Sequence, residues 1–159
     1  MRIAIGSDER SHLTDAVVEE LRHRGHEVEA LGPLSGEPLQ WADVAREVAQ
    51  RVARGESDQG VLFCWTGTGV AMAANKVVGV RAALCWDAET ARGARLWNDA
   101  NVLCLSLRST SEVVAREILE AWLSTDAPDP SEAENIEKVR ALDGERKPPG
   151  PRRTVAPSG

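Results

Sequence analysis

The stretch best equipped for chemistry is Phe63-Cys64-Trp65-Thr66-Gly67-Thr68-Gly69-Val70, running on to Ala73-Ala74-Asn75-Lys76. It reads as a strand, a glycine-bearing turn and a helix. The glycines let the backbone approach a ligand, and amides at the start of the helix can hold an oxyanion or a phosphate. Taken alone, Gly-x-Gly after a strand is more often a tight turn, and the stretch has neither the full dinucleotide fingerprint nor the Walker lysine. Cys64 ends its strand just ahead of this turn, where a helix start favours the thiolate that serves as base or nucleophile. A cysteine so placed also packs as a small buried hydrophobe, which is the reading kept for Cys85 and Cys104. Asp8 and Glu9 follow the first strand-like run, Ile3-Ala4-Ile5-Gly6-Ser7. Asp8 can accept hydrogen bonds from sugar hydroxyls or cap the first helix. Asn98-Asp99-Ala100-Asn101 precedes another apolar run, and such residues form turns by bonding their own backbone. Trp41, Trp65, Trp86 and Trp97 fall near element ends, where an indole walls a carbohydrate or aromatic ligand site or covers a helix end. Trp122 reads as packing. His12, His23 and His26 lack metal-ligand spacing with any cysteine, so no metal site is predicted.

Short β-branched runs alternate with amphipathic stretches at helical spacing, the pattern of βαβ units around a parallel sheet. Strands are expected at 2–6, 27–31, 59–64, 81–85 and 102–105. Helices are expected at 13–24, 42–54, 68–76, 88–97 and 111–122, with Ser111 as a cap. Asp126-Ala127-Pro128-Asp129-Pro130 breaks the chain, and Ser131 opens a sixth helix to about Leu142. The fold class is α/β, a three-layer α/β/α Rossmann-like sandwich on a five-stranded parallel sheet. In such a sheet ligands bind where the loops leave the C-terminal ends of the strands, so the places to search are 7–12, 65–69, 86–87 and 106–110.

Composition narrows the class of protein. The chain's 159 residues make one domain, 1–143, followed by a segment, 144–159, with four prolines and no apolar periodicity. That segment cannot repay its ordering entropy and is expected to be a flexible Pro/Arg-rich tail. Four basic residues against Glu145 give it +3, which leaves −9 on residues 1–143 out of the chain's net −6. An acidic body without a basic, aromatic-laced stripe argues against nucleic acid. No apolar run approaches a membrane span, and the N-terminus runs straight into a strand rather than a signal peptide. Three cysteines in apolar runs support no disulfide framework. A cytoplasmic protein with reduced thiols is expected.

Four blocks together resemble the ribose-5-phosphate isomerase type B and galactose-6-phosphate isomerase family. They are Ile3-Ala4-Ile5-Gly6-Ser7-Asp8, Cys64 to Lys76, Val80-Arg81-Ala82-Ala83-Leu84-Cys85, and Asn98-Asp99-Ala100-Asn101-Val102-Leu103, in the family's order and spacing. The resemblance implies a Rossmann-type fold, a homodimer or dimer of dimers with its active site shared between subunits, and no metal or organic cofactor. It implies interconversion of an aldose and a ketose through an enediol. Cys64 would be the base, and the amides of Thr66, Gly67, Thr68 and Gly69 would hold the oxyanion. By the same correspondence Thr66 assists ring opening, Asp8 contacts sugar hydroxyls, Asn98 comes from the partner subunit, and Arg108 lies near a phosphate.

The chain departs from the family pattern at the same places. Glu9 stands where a phosphate-binding histidine is usual, Trp97 replaces the ring-opening histidine, Trp65 replaces the glycine after the cysteine, and Trp86 replaces a histidine. The segment Glu134-Asn135-Ile136-Glu137-Lys138 aligns with a basic motif, so two phosphate-binding arginines are expected to be acids. Carboxylates in place of cations repel a phosphate dianion. The expected function is therefore that of an aldose–ketose isomerase on a sugar or sugar-like substrate, with its phosphate and ring-opening sites altered. The alternatives are a catalytically silent family member that binds a small molecule or partner subunit, and an ordinary sugar-phosphate isomerase whose cations are Arg10, Arg92 or Arg95.

Overall fold

The computed structural model describes residues 1–145. Most of the expected tail, from residue 146 on, lies outside the described residues. Strands β1 (Arg2–Ser7), β2 (Glu27–Leu31), β3 (Gln59–Cys64), β4 (Ala82–Leu84) and β5 (Val102–Ser106) form one sheet in the order β2-β1-β3-β5-β4. Every pairing in it is parallel. Helices α1 (His12–His23), α2 (Trp41–Ala53), α3 (Thr68–Ala74), α4 (Ala88–Asn98), α5 (Glu112–Leu123) and α6 (Ala133–Ala141) complete the fold, with 3-10 turns at Gly32–Ser35 and Pro130–Glu132.

Alternation along the strands sends side chains to two cores, one on each face of the sheet. Ile3, Ile5, Val61, Phe63, Leu103 and Leu105 pack against α1, α4 and α5. Ala4, Leu62, Cys64, Val102 and Cys104 pack against α2 and α3, through Val44, Val48 and Val70 among others. The helix starts follow local chemistry. Ser11 and Thr14 form a reciprocal capping box on α1, Asp87 accepts from the Thr90 amide on α4, and Ser111 caps α5 as expected. Strand β4 covers Ala82–Leu84 of its apolar run, and side chains bond the backbone at its start. The Asn75 carboxamide bonds both the amide and the carbonyl of Ala82 at 2.8 Å, and Asn101 Oδ1 accepts from the Arg81 amide at 2.8 Å.

The largest fully buried side chain is Trp122. Its indole Nε1 donates to Gln59 Oε1 at 2.7 Å, and the Arg95 guanidinium lies 5.6 Å from the ring centroid. Gln59 opens β3, so this bond fixes α5 to the centre of the sheet. Trp122→Phe leaves a buried acceptor unpaired and is expected to cost about 1–3 kcal/mol, measured by urea denaturation. Trp122→Ala is expected to cost about 3–5 kcal/mol.

Candidate active site

The strand order reverses at β1 and β3: the chain moves from β1 outward to β2, then crosses back to β3 on the other side. At such a switch point the loops diverge and leave a crevice at the C-terminal edge. Ser7 pairs with Phe63 and Cys64 with Ser106 in the register. The loops carrying Asp8 and Glu9, Cys64 to Gly69, and Arg108 therefore leave adjacent strands at this one edge.

Each loop has an internal reason for its shape. Ser7, fully buried, donates its hydroxyl to the Glu9 carbonyl at 2.6 Å and accepts from the Glu9 amide at 3.2 Å, which folds Asp8 and Glu9 over the end of β1. The next two loops are tied together past the ends of their strands. The Leu107 amide donates to the Cys64 carbonyl at 3.0 Å, while the Trp65 carbonyl accepts from the Arg108 amide at 3.1 Å and the Ser106 hydroxyl at 2.8 Å. Gly67 turns the chain into α3 with φ of 76°, and a Cβ there would stand 2.5 Å from Leu84 Cδ1 and 3.0 Å from the Leu105 carbonyl carbon. Thr66 and Thr68 share a hydroxyl hydrogen bond of 2.7 Å across the turn. Against Gly69 lies the indole of Trp41, 3.0 Å from where a Cβ would sit, so the tryptophan and the glycine require each other. Sequence reasoning set Trp41 among the element-end tryptophans without linking it to this turn, because nothing local joins residues 41 and 69.

All three thiols are buried. Cys85 is pushed up to about 12, mainly by burial and secondarily by Asp87, and Cys104 is raised well above the ordinary range by burial. Both are held protonated. Cys64 is the last residue of β3, at the C-terminal edge, with 5% of its surface exposed. The Asp8 carboxyl is raised above its ordinary 3.8 by burial, against a backbone hydrogen bond that lowers it and with Glu9 adding to the rise. Trp65 and Trp86 stand out from the same edge, 62% and 66% exposed. Among the described residues, no three His, Cys, Asp or Glu side chains gather where they could hold a metal ion.

Trp97 and Asn98 are not brought to this edge. Helix α4 starts beyond β4 and runs back antiparallel to the strands, so its 11 residues carry the chain about 16 Å toward the opposite edge. There Trp97 and Asn98 line a second groove of about 510 Å³ with Asn135 and Arg140 of α6 and Arg81 ahead of β4. These two arginines were not foreseen as groove residues. Helical periodicity points to Arg140, four residues after the buried Ile136, whereas nothing local points to Arg81. Glu134 and Lys138 of the aligned motif pair with each other at 2.6 Å. The three arginines expected as substitute cations are occupied: Arg10 by Asp15 at 2.9 Å, Arg92 by Glu89 at 2.9 Å, and Arg95 by the Ala100 and Thr125 carbonyls. Arg108 is exposed and forms no side-chain ion pair with any described residue.

Two outcomes test this geometry. Gly67→Ala forces a side chain into Leu84 and onto a positive φ, and is expected to cost about 1–3 kcal/mol by urea denaturation. Asp8 has its folded-state value raised, so its charged form opposes folding above that value and the penalty vanishes below 3.8. Asp8→Asn is therefore expected to raise the melting temperature at neutral pH, with the difference from wild type closing as the pH falls below 3.8. A melting series over pH measures it.

Comparison with known proteins converges on one family. The model of the Ribose/Galactose Isomerase family matches residues 3–139. Ribose-5-phosphate isomerase B of Escherichia coli (strain K12) is 36% identical over 146 residues, 91% of this chain and 98% of that protein. D-erythrulose-4-phosphate isomerase of Pectobacterium atrosepticum is 33% identical over 150 residues, covering 92% and 98%. The structure of Clostridium thermocellum ribose-5-phosphate isomerase B superposes with a TM-score of 0.85 at 36% identity, over 91% of this chain and 99% of that one. The switch-point crevice, the cysteine at the strand end and these matches together identify the chain as a member of the ribose/galactose isomerase family, an isomerase interconverting aldoses and ketoses.

Proposed function

We propose that the chain moves a proton between adjacent carbons of a sugar phosphate, with Cys64 as the base and the turn after β3 as the oxyanion site. The observation that carries this reading is the position of Cys64, at the switch point beside Asp8 and at the head of a glycine turn that runs into the first turn of α3, where helix amides have no intrahelical acceptor. The thiolate takes the proton from the carbon next to the carbonyl, and the carbonyl oxygen gains negative charge that the amides of Thr66 to Gly69 stabilise. The thiol then returns the proton to the neighbouring carbon, while the hydroxyl proton passes from the oxygen that becomes the new carbonyl to the enediolate oxygen. Thr66 assists ring opening, and Asp8 and Glu9 receive sugar hydroxyls. Arg108, beside the Trp65 carbonyl, faces the anionic end of the substrate.

Trp97 and Asn98 reach this chemistry from a second subunit. Within one chain they stand at the far edge, and a homodimer or dimer of dimers that sets the second groove of one copy over the crevice of the other would complete the site. Exposed Trp65 and Trp86 at one edge and Trp97 at the other are apolar side chains of the kind that association covers. Sedimentation velocity at micromolar concentration is expected to show a dimer or larger, and a strict monomer would rule out the shared site.

A second reading, an unphosphorylated sugar-like substrate, is favoured by the neighbouring carboxylates Asp8 and Glu9 and by the indole at Trp97. One experiment separates the two. The protein is incubated in heavy water with pentose, tetrose and hexose phosphates and with their unphosphorylated counterparts, and NMR follows exchange at the carbon beside the carbonyl. Exchange on phosphorylated sugars is expected, falling by roughly 10²-fold or more in Cys64→Ala. Cys64-dependent exchange confined to unphosphorylated sugars establishes the second reading. Exchange unaffected by Cys64→Ala would remove the assigned base.

A further inference from the structure

The polar residues that frame the second groove converge on Asp99. It closes α4 with φ of 49°, the one positive φ among the described residues other than glycine. Aspartate tolerates this conformation because its short polar side chain bonds locally. Here the bonds hold together elements distant in sequence. The Asp99 carbonyl accepts from Arg81 Nε at 2.6 Å, and its Oδ2 accepts from Arg81 Nη2 at 2.9 Å and from Arg140 Nη2 at 2.6 Å. Arg81 leads into β4 and Arg140 belongs to α6, so a single carboxylate joins the end of α4, the start of β4 and the last helix. The Arg81 and Asp99 side chains are each 18% exposed, which shields their pairing from the solvent that weakens surface ion pairs.

Two further contacts tie α6 to the body. Ile136 is its one buried side chain, and a further tie follows it, where Asp143 Oδ2 accepts from the Gly79 amide at 2.8 Å. The groove between α6 and the body is lined by Trp97 and Asn98 from one side and by Asn135 and Arg140 from the other. The two residues ahead of Asp99 in the chain are thus the ones assigned to substrate, and the helix facing them is held by the Asp99 carboxylate.

We infer that Asp99 is a positioning residue: bridging Arg81 and Arg140, it sets the width of the groove and the presentation of Asn98 and Trp97 to the substrate. The inference rests on the proposed roles of Asn98 and Trp97 and requires no contact between Asp99 and substrate. Asp99→Asn keeps the shape and the tolerance for positive φ while removing the charge that two guanidiniums share. Arg140→Met cuts the arm to α6 alone.

The full chain, labelled with 5-fluorotryptophan, gives one fluorine resonance per tryptophan, and Trp97→Phe assigns that of Trp97. In both Asp99→Asn and Arg140→Met the Trp97 resonance is expected to shift or broaden while that of core Trp122 stays. Amide protons of α6 are expected to exchange roughly tenfold faster, the scale of losing a hydrogen bond to a charged group. The double variant is expected to add little to Asp99→Asn, as for residues acting in one network. In the proton-exchange assay, KM is expected to rise about tenfold in Asp99→Asn with kcat nearly unchanged, the signature of lost positioning in binding. An unmoved Trp97 resonance with unchanged α6 exchange would overturn the inference, as would a fall in kcat at constant KM, which would put Asp99 in the chemical step. Lack of sugar exchange in the unaltered protein would count against the proposed isomerisation, whereas the resonance and amide measurements judge Asp99 without any substrate.

Discussion

A sheet in which every strand is parallel delivers all its strand ends to one edge and obliges every following helix to run back to the other. That constraint organises the whole molecule. Asp8, Cys64 and Arg108 lie far apart in the chain, yet each follows a strand, and the register of β1, β3 and β5 places them side by side. The crevice opens between β1 and β3 because the connections leave in opposite directions there. The same rule carries Trp97 and Asn98 away, since they end a helix rather than a strand. The separation of these two residues from Asp8 and Cys64 within one chain therefore follows from topology.

The two cores determine which groups remain available for chemistry. Cys64, Cys104 and β5's Val102 share the core beneath α2 and α3, but Cys104 lies mid-strand and fully buried while Cys64 lies at the strand's last residue. Among the cations, short-range pairing has the same sorting effect. Arg10, Arg92 and Arg95 each satisfy a nearby acid or carbonyl, and Arg81 and Arg140 are committed to Asp99. A guanidinium engaged in this way fixes structure, whereas Arg108, after β5, is exposed.

Much of this was legible in the order of residues. Strands β2 and β3 fall where their apolar runs predict, and the helices begin and end within a residue or two of their capping signals, because alternation and capping are local properties. The bonds from the carboxamides of Asn75 and Asn101 to the start of β4 were not legible, because these side chains come from elsewhere in the chain. The contact of Trp41 with Gly69 and the convergence of Arg81 and Arg140 on Asp99 were hidden for the same reason.

The sequence by itself determined the α/β class, the element order, the family and the residue types at the crevice, all of which rest on periodicity and on motifs whose spacing survives without coordinates. Only the tertiary structure decided which of those residues meet. It joined Asp8 to Cys64 across a switch point, withheld Trp97 and Asn98 from them within a single chain, and turned the Asn-Asp turn into a three-element clamp. The physical reason is that strand order and helix direction are set by long-range packing, and no local pattern of side chains encodes the distance between two loops.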